Sequence, residues 1–193
     1  MRWHRACLAA LVLGLAACSK GAEEPVPVIP DQSLTRPPQA PQHVELAAPV
    51  VETRDRLIKA AKVGSLSRMA RIAAESDQFV SNFSGESHRD FWDLLNRTGL
   101  DPTRKLRQLF EEPAGVRMVD GERWYVWPDL AALDAADLIP EKLSFRERRR
   151  LRELIGEDGI ALVRQGRGYP GMRTAIAEDG RWLYFVLGLD GED

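Results

Sequence analysis

The sequence predicts an α+β fold: N-terminal helices followed by antiparallel β-hairpins with an inserted helix. Three observations predict it. Apolar residues recur at helical spacing from Leu57 to Phe110, behind capping residues. The period then changes to two on either side of Asp120-Gly121, and again around Asp179-Gly180, each a turn signal between apolar or aromatic runs. Between the two hairpins Ser144 and Glu147 stand at capping-box spacing ahead of another amphipathic helix. Helices first and hairpins later argue against a parallel doubly wound sheet.

Taken in order, Leu57, Ile58 and Ala61 share a helical face that Gly64 stops. Ser65 caps a second helix with Leu66, Met69, Ala70 and Ala73 on one side. Ser87 and Asp90 open a third, whose apolar face is Phe91, Leu94 and Leu95 with Trp92 beside it. Gly99 ends it in a left-handed turn and Leu100 locks the turn. Asp101 caps the next helix, Pro102 occupies its first turn, and Leu106, Leu109 and Phe110 face inward until Pro113. Val116–Val119 and Arg123–Trp127 form the first hairpin. Residues 129–138 read as a short helix with Leu130 and Leu133 apolar. The helix opened by Ser144 carries Leu151, Leu154 and Ile155 and stops at Gly156. Ile160–Val163 reads as a short strand, residues 166–171 as a glycine-rich loop, and Met172–Ala177 with Arg181–Leu187 as the second hairpin. In its last strand Leu183, Phe185 and Leu187 fall on one face and Trp182, Tyr184 and Val186 on the other. A strand apolar on both faces is covered on both sides.

The beginning of the chain has a different character. Arg2, His4 and Arg5 precede an apolar run from Ala6 to Ala17. That run is too short for a bilayer, which takes about 20 residues, and fits a signal peptide over residues 1–17. It ends in Leu15-Ala16-Ala17-Cys18. This order resembles the lipobox of bacterial lipoproteins. The resemblance implies that Cys18 is acylated, that the signal is cut before it, and that the protein is held in the envelope by its lipid. Two or three acyl chains make a stable anchor where one is marginal. Ser19, where some such proteins carry an inner-membrane-retaining Asp, favours the outer membrane, with the domain facing the periplasm.

Residues 18–50 hold the acylated cysteine and a tether with Pro25, Pro27, Pro30, Pro37, Pro38, Pro41 and Pro49. No helical or alternating period runs through it. Residues 51–193 then form a single α+β periplasmic domain, large enough for its own core.

Composition narrows the chemistry. The chain has 193 residues and two cysteines, of which Cys7 leaves with the signal. The remaining Cys18, once acylated, makes no disulfide, thiolate metal site or nucleophile. Of three histidines, only His43 and His88 remain, so a histidine-rich metal cluster is not expected, nor is a cofactor. The formal charge of −2 falls by two when Arg2 and Arg5 leave, which does not suggest nucleic-acid binding.

Candidate sites follow from residue type. On the first hairpin Tyr125 and Trp127 share one face and Trp124 takes the other; an open aromatic face would suit a sugar or peptide, and core packing is the competing reading. Arg146, Arg148, Arg149, Arg150 and Arg152 form a basic run, read as a solvated helix face because Glu147 and Glu153 interleave it. The loop 166–171, with Arg164, Arg167, Tyr169 and Arg173, has the backbone donors and cations to meet an anion but lacks phosphate-loop spacing. The binding set expected from these is Tyr125, Trp127, Tyr169 and Arg173. His88, placed on the solvent side of a first helical turn, is the histidine around which a serine hydrolase would be built, yet no serine stands in a nucleophile-elbow sequence.

The segment Tyr125-Val126-Trp127-Pro128-Asp129-Leu130, then Gly168-Tyr169, then Asp179-Gly180-Arg181-Trp182-Leu183-Tyr184-Phe185-Val186 resembles a stretch of uncharacterised proteobacterial envelope proteins. The likeness spans residues 83–188 and implies no activity or catalytic residues. The order of helices and curved strands is also similar to the cone-shaped fold of nuclear-transport-factor-like domains, from which the helix between the hairpins departs. Together these readings lead to the expectation of a lipid-anchored envelope lipoprotein. Its domain binds or scaffolds an envelope protein, cell-wall material or a small ligand. The alternative is a periplasmic hydrolase.

Overall fold

The computed structural model describes residues 44–82 and 87–188. The signal, Cys18 and most of the tether lie outside them. The fold is α+β: the described residues form five α-helices and a five-stranded mixed sheet, with the strands in the order β1-β5-β4-β3-β2.

Four helices come first: α1 (Ala48–Lys62), α2 (Leu66–Ala73), α3 (His88–Arg97) and α4 (Pro102–Glu111). Their ends are set by the side chains expected to set them. Ser65 Oγ accepts from Arg68 N at 3.3 Å, Ser87 Oγ from Asp90 N at 3.2 Å, and Asp101 Oδ1 from Thr103 N at 2.9 Å. Gly99 turns left-handed at φ 92°, and Leu100 N donates back to Leu95 O at 3.1 Å.

Two differences from the sequence reading stand out in this layer. Folded structure starts earlier than residue 51, because Val44, Leu46 and Ala47 pack on the core and Val50 is fully buried within α1. On α3 the buried residue is Trp92, while Leu94 is 55% exposed. Three aromatic partners draw Trp92 inward: Trp182 at 5.8 Å, Phe79 at 6.0 Å and Phe185 at 6.1 Å between ring centroids. Phe91 and Leu95 flank the same cluster as partly buried neighbours.

The strands are β1 (Val80–Ser81), β2 (Gly115–Val119), β3 (Glu122–Trp127), β4 (Met172–Ala177) and β5 (Trp182–Leu187). The hairpin β2-β3 turns at Asp120 and Gly121, both left-handed at φ 51° and 84°. β3 to β5 are antiparallel neighbours, and the short β1, which no alternation announced, pairs parallel with β5. The sheet is therefore mixed rather than purely antiparallel.

β5 does not alternate as expected. Ala175 faces Tyr184 but Ile176 faces Trp182, so Leu183 is the extra residue of a bulge. The bulge puts Trp182 on the same side as Phe185, against the helices, and sends Leu183 and Tyr184 to the other side.

That other side is covered by the fifth helix, α5 (Phe145–Arg164), and by the connection before it. The capping box is present: Ser144 Oγ accepts from Glu147 N, and Glu147 Oε2 accepts from Ser144 N at 2.9 Å. Gly156 breaks the helical backbone at φ 67° and ψ −176°, but the chain resumes its helix beyond it. Ile160–Val163 is thus helical, not a strand. A four-residue apolar run does not distinguish the two, and Ile160 and Val163 take up the helical spacing that buries both. The expected helix over 129–138 is only a 3-10 turn at Asp129–Ala132, with a second at Pro140–Lys142.

The sheet is thus the middle layer of three. One core lies between it and α1–α4, with Tyr125, Trp127, Ile176 and Phe185 from the sheet. The other lies between it and α5, with Val126, Ala175, Ala177 and Leu183.

α1 is pinned to the β4-β5 turn. Thr53 Oγ1 donates to Gly180 O at 2.7 Å, and a Cβ on Gly180 would lie 3.0 Å from Pro49 O. Gly180 has φ 95° and Gly121 has φ 84°, but nothing lies within 4 Å of a Cβ on Gly121. Alanine should therefore cost about 1 kcal/mol at Gly121 and about 2–3 kcal/mol at Gly180. Urea unfolding of the two variants measures the difference; equal losses would mean that the Pro49 contact is not tight.

Candidate functional site

The four residues expected to form one binding set are split by the sheet. Tyr125 and Trp127 point to the helix side and are 3% and 2% exposed. They belong to the core, and Trp127 stacks edge-on against Phe110 at 5.1 Å. The alternation that separated them from Trp124 was sound, but both rings are packed into the core on the helix side. Trp127 does border a cleft of about 590 Å³ with Val44, Leu46, Phe110 and Pro113, on the opposite side of the sheet from Tyr169.

Tyr169 and Arg173 do meet. They line a cleft of about 290 Å³ on the α5 side, between the sheet and the segments 131–135 and 166–169. Arg173 comes from the start of β4 and donates to Gly171 O at 3.2 Å and Tyr169 O at 3.4 Å. These bonds hold its guanidinium against the glycine loop. Arg117 reaches the same cleft from β2, Tyr184 from β5, and Arg167 from the loop itself. Ala131, Leu133 and Ala135 supply an apolar wall.

Arg117, Arg167 and Arg173 line the cleft, and no acidic side chain is among its described lining residues. Arg117 pairs at 3.3 Å with Asp134, whose side chain is exposed outside the lining. Burial pushes the Tyr184 phenol up to about 12, against the opposing pull of the nearby Arg173 and Arg117 charges. Its hydroxyl therefore stays protonated at neutral pH. Tyr169 is 8% exposed, and burial pushes its phenol well above the ordinary tyrosine value, with the Glu112 charge acting in the same direction.

Beneath Tyr169 lies an ion cluster. Arg150 donates to Glu112 Oε2 at 2.8 Å and to both oxygens of Asp129 at 2.8 and 3.1 Å. Its guanidinium stays charged: burial lowers its pKa, but the hydrogen bonds it donates to these carboxylates and their charges more than offset that. The basic run on α5 is therefore not wholly a solvated face. Arg149 and Arg152 do sit outside, paired with Glu153 at 3.4 Å and Glu157 at 2.6 Å. Arg164, expected beside the anion loop, pairs instead with Glu141 at 2.9 Å.

His88 is not on the solvent side. It is half-buried, with Phe79 edge-on at 4.8 Å and Trp92 at 6.1 Å. Ser81 Oγ lies 3.0 Å from its Nδ1. The serine is buried at the end of β1, a strand of two residues that sequence spacing does not reveal. Among the described residues no group of three or more His, Cys, Asp or Glu side chains is arranged to hold a metal ion. No helix of the described residues is long and apolar enough to cross a membrane.

Sequence reasoning missed Arg117, Tyr184 and Ser81. For Arg117 a signal existed: in the hairpin register it lies opposite Trp124 and so shares that residue's face. Tyr184 was concealed by the bulge at Leu183. Compared with known proteins, the chain matches no family model, no curated protein and no solved structure.

Burial holds the His88 imidazole below its usual value of 6.5. The folded chain is then the poorer proton acceptor. Stability is complete above pH 6.5 and falls as pH drops through that value, until the folded imidazole also protonates. His88→Gln should remove this part of the pH dependence, as measured by urea unfolding between pH 7.5 and 4.5. An unchanged slope would show that other groups account for it.

Proposed function

We propose that the chain is a lipid-anchored envelope lipoprotein whose α+β domain binds or scaffolds rather than catalyses. The observation that carries the anchor is the order Leu15-Ala16-Ala17-Cys18 behind a basic start and a short apolar run. A cysteine placed there takes acyl chains, and a two- or three-chain anchor holds stably. The proline-rich stretch between Cys18 and Val44 then spaces the folded domain from the lipid. Ser19 supports the outer membrane as the destination, with the domain in the periplasm. Binding is supported by the cleft of Arg117, Arg167, Arg173, Tyr169 and Tyr184, where cations and phenols converge on an apolar wall. The partner is an envelope protein, cell-wall material or a small ligand. Cys18→Ser should abolish incorporation of labelled palmitate and release the protein from the membrane fraction. Continued labelling would overturn the anchor.

One observation favours a second reading, a periplasmic hydrolase: the 3.0 Å approach of Ser81 Oγ to His88 Nδ1. A serine beside an imidazole is the minimal arrangement for an activated nucleophile. The aromatic packing of His88 and the burial of Ser81 favour a structural role for the pair. Hydrolysis of p-nitrophenyl acetate by the purified protein discriminates the two. Equal rates for the wild type and Ser81→Ala support the binding reading. At least a hundredfold loss in Ser81→Ala, with folding unchanged, would establish the hydrolase.

A further inference from the structure

We infer that the chain pairs with a second copy of itself along the open edge of its sheet, strand β2 against strand β2, antiparallel.

The two edges of the sheet are not alike. β1 has two residues, too few to take on another strand. β2 runs for five residues with no proline, lysine or bulge to blunt it. A Cβ on Gly115 would meet Asp129 and Ala132, so the 3-10 turn crowds that end and the open stretch starts at Val116.

The hairpin decides which backbone groups face outward. Its tight turn makes Val119 and Glu122 a hydrogen-bonded pair, and bonded and non-bonded pairs alternate from there. Val116 with Tyr125 and Met118 with Arg123 are the non-bonded pairs. Arg123 O accordingly turns away from β2 and accepts from Glu178 N at 2.9 Å. By the same geometry the N–H and C=O of Val116 and Met118 turn away from β3, to the outside. Among the described residues none hydrogen-bonds to them. Their side chains are 40% and 59% exposed. Cross-strand neighbours share a face, so both lie on the helix side, as Tyr125 does.

This edge reads alike in both directions: an apolar residue, Arg117, an apolar residue. A second copy, antiparallel and centred on Arg117, sets Val116 against Met118 and Met118 against Val116. Every outward N–H then meets a carbonyl, and each exposed apolar side chain meets another. On the α5 side Arg117 faces its counterpart, where two bare cations would repel. Each already carries Asp134 at 3.3 Å, so the two-fold axis brings together ion pairs without net charge. The contact is one short strand, which places the dimer among weak, concentration-dependent interfaces. Such pairing needs neither the lipid anchor nor the cleft.

The test is sedimentation velocity of the full chain in detergent, over about a hundredfold range of protein concentration that brackets weak association. A monomer–dimer equilibrium is expected. Met118→Lys, which places a charge on the open edge, should weaken it about tenfold or more. Leu94→Lys, at an equally exposed apolar position on α3, should leave it unchanged. Amide hydrogen exchange of the wild type supplies a second readout: Val116 and Met118 should exchange more slowly as concentration rises. A chain that stays monomeric throughout would overturn the pairing. So would association that survives Met118→Lys, as it would for two chains merely sharing a micelle. An equal loss in Leu94→Lys would overturn it as general apolar attraction, and dimers without slower exchange at Val116 and Met118 would place the contact on another surface.

Discussion

Arg150 is the interaction on which the arrangement of layers depends. Its guanidinium, on α5, meets Glu112 just past the end of α4 and Asp129 just past the end of β3. The two carboxylates leave the helix layer and the sheet at the same place, and one cation from the third layer ties them together. A partly buried guanidinium without partners is costly, so the cluster tolerates only the packing that brings both acids to it. Hydrophobic burial alone would let α5 slide along the sheet, because apolar contact has no direction. The forked donors of arginine remove that freedom. The start of β2 is fitted to the same corner: a Cβ on Gly115 would lie 2.8 Å from Asp129 O, so the backbone there has no room for a side chain.

Much of this fold was legible in the sequence, because its ends and turns are chemically marked. Ser65, Ser87, Asp101 and Ser144 cap the helices they were expected to cap, and Asp-Gly pairs turn both hairpins. These are local signals, satisfied within a few residues. What could not be read locally was decided by partners far away. Trp92 outcompeted Leu94 for the core because Phe79, Trp182 and Phe185 wait on other elements. Gly156 was read as a stop and is a break, since Ile160 and Val163 gain their burial only as helix against the sheet. The bulge at Leu183 has no signature in residue type; every residue of that strand suits either face.

The candidate site divides along the same line. Alternation along β3 correctly set Tyr125 and Trp127 against Trp124, yet it cannot tell which face is roofed by four helices and which by one helix and a loop. Tyr169 and Arg173 were found because they flank a glycine loop, a local feature. Arg117 and Tyr184 entered the cleft through register and through a bulge, both set by strand pairing across the sheet. Arg150 lay unremarked within a run of arginines whose neighbours do face water, and only its acid partners distinguish it.

The two sides of the sheet have different work to do. The chain enters the domain on the helix side, where Val44, Leu46 and Ala47 pack against the core and α1 is pinned to the β4-β5 turn through Thr53. The cleft lies on the other side, behind β2, β4 and β5 and under the loop that follows α5. The entering segment therefore does not cover the cleft. Arg150 keeps the layers between these two sides in register, because its donors meet Glu112 from the helix layer and Asp129 from the end of the sheet.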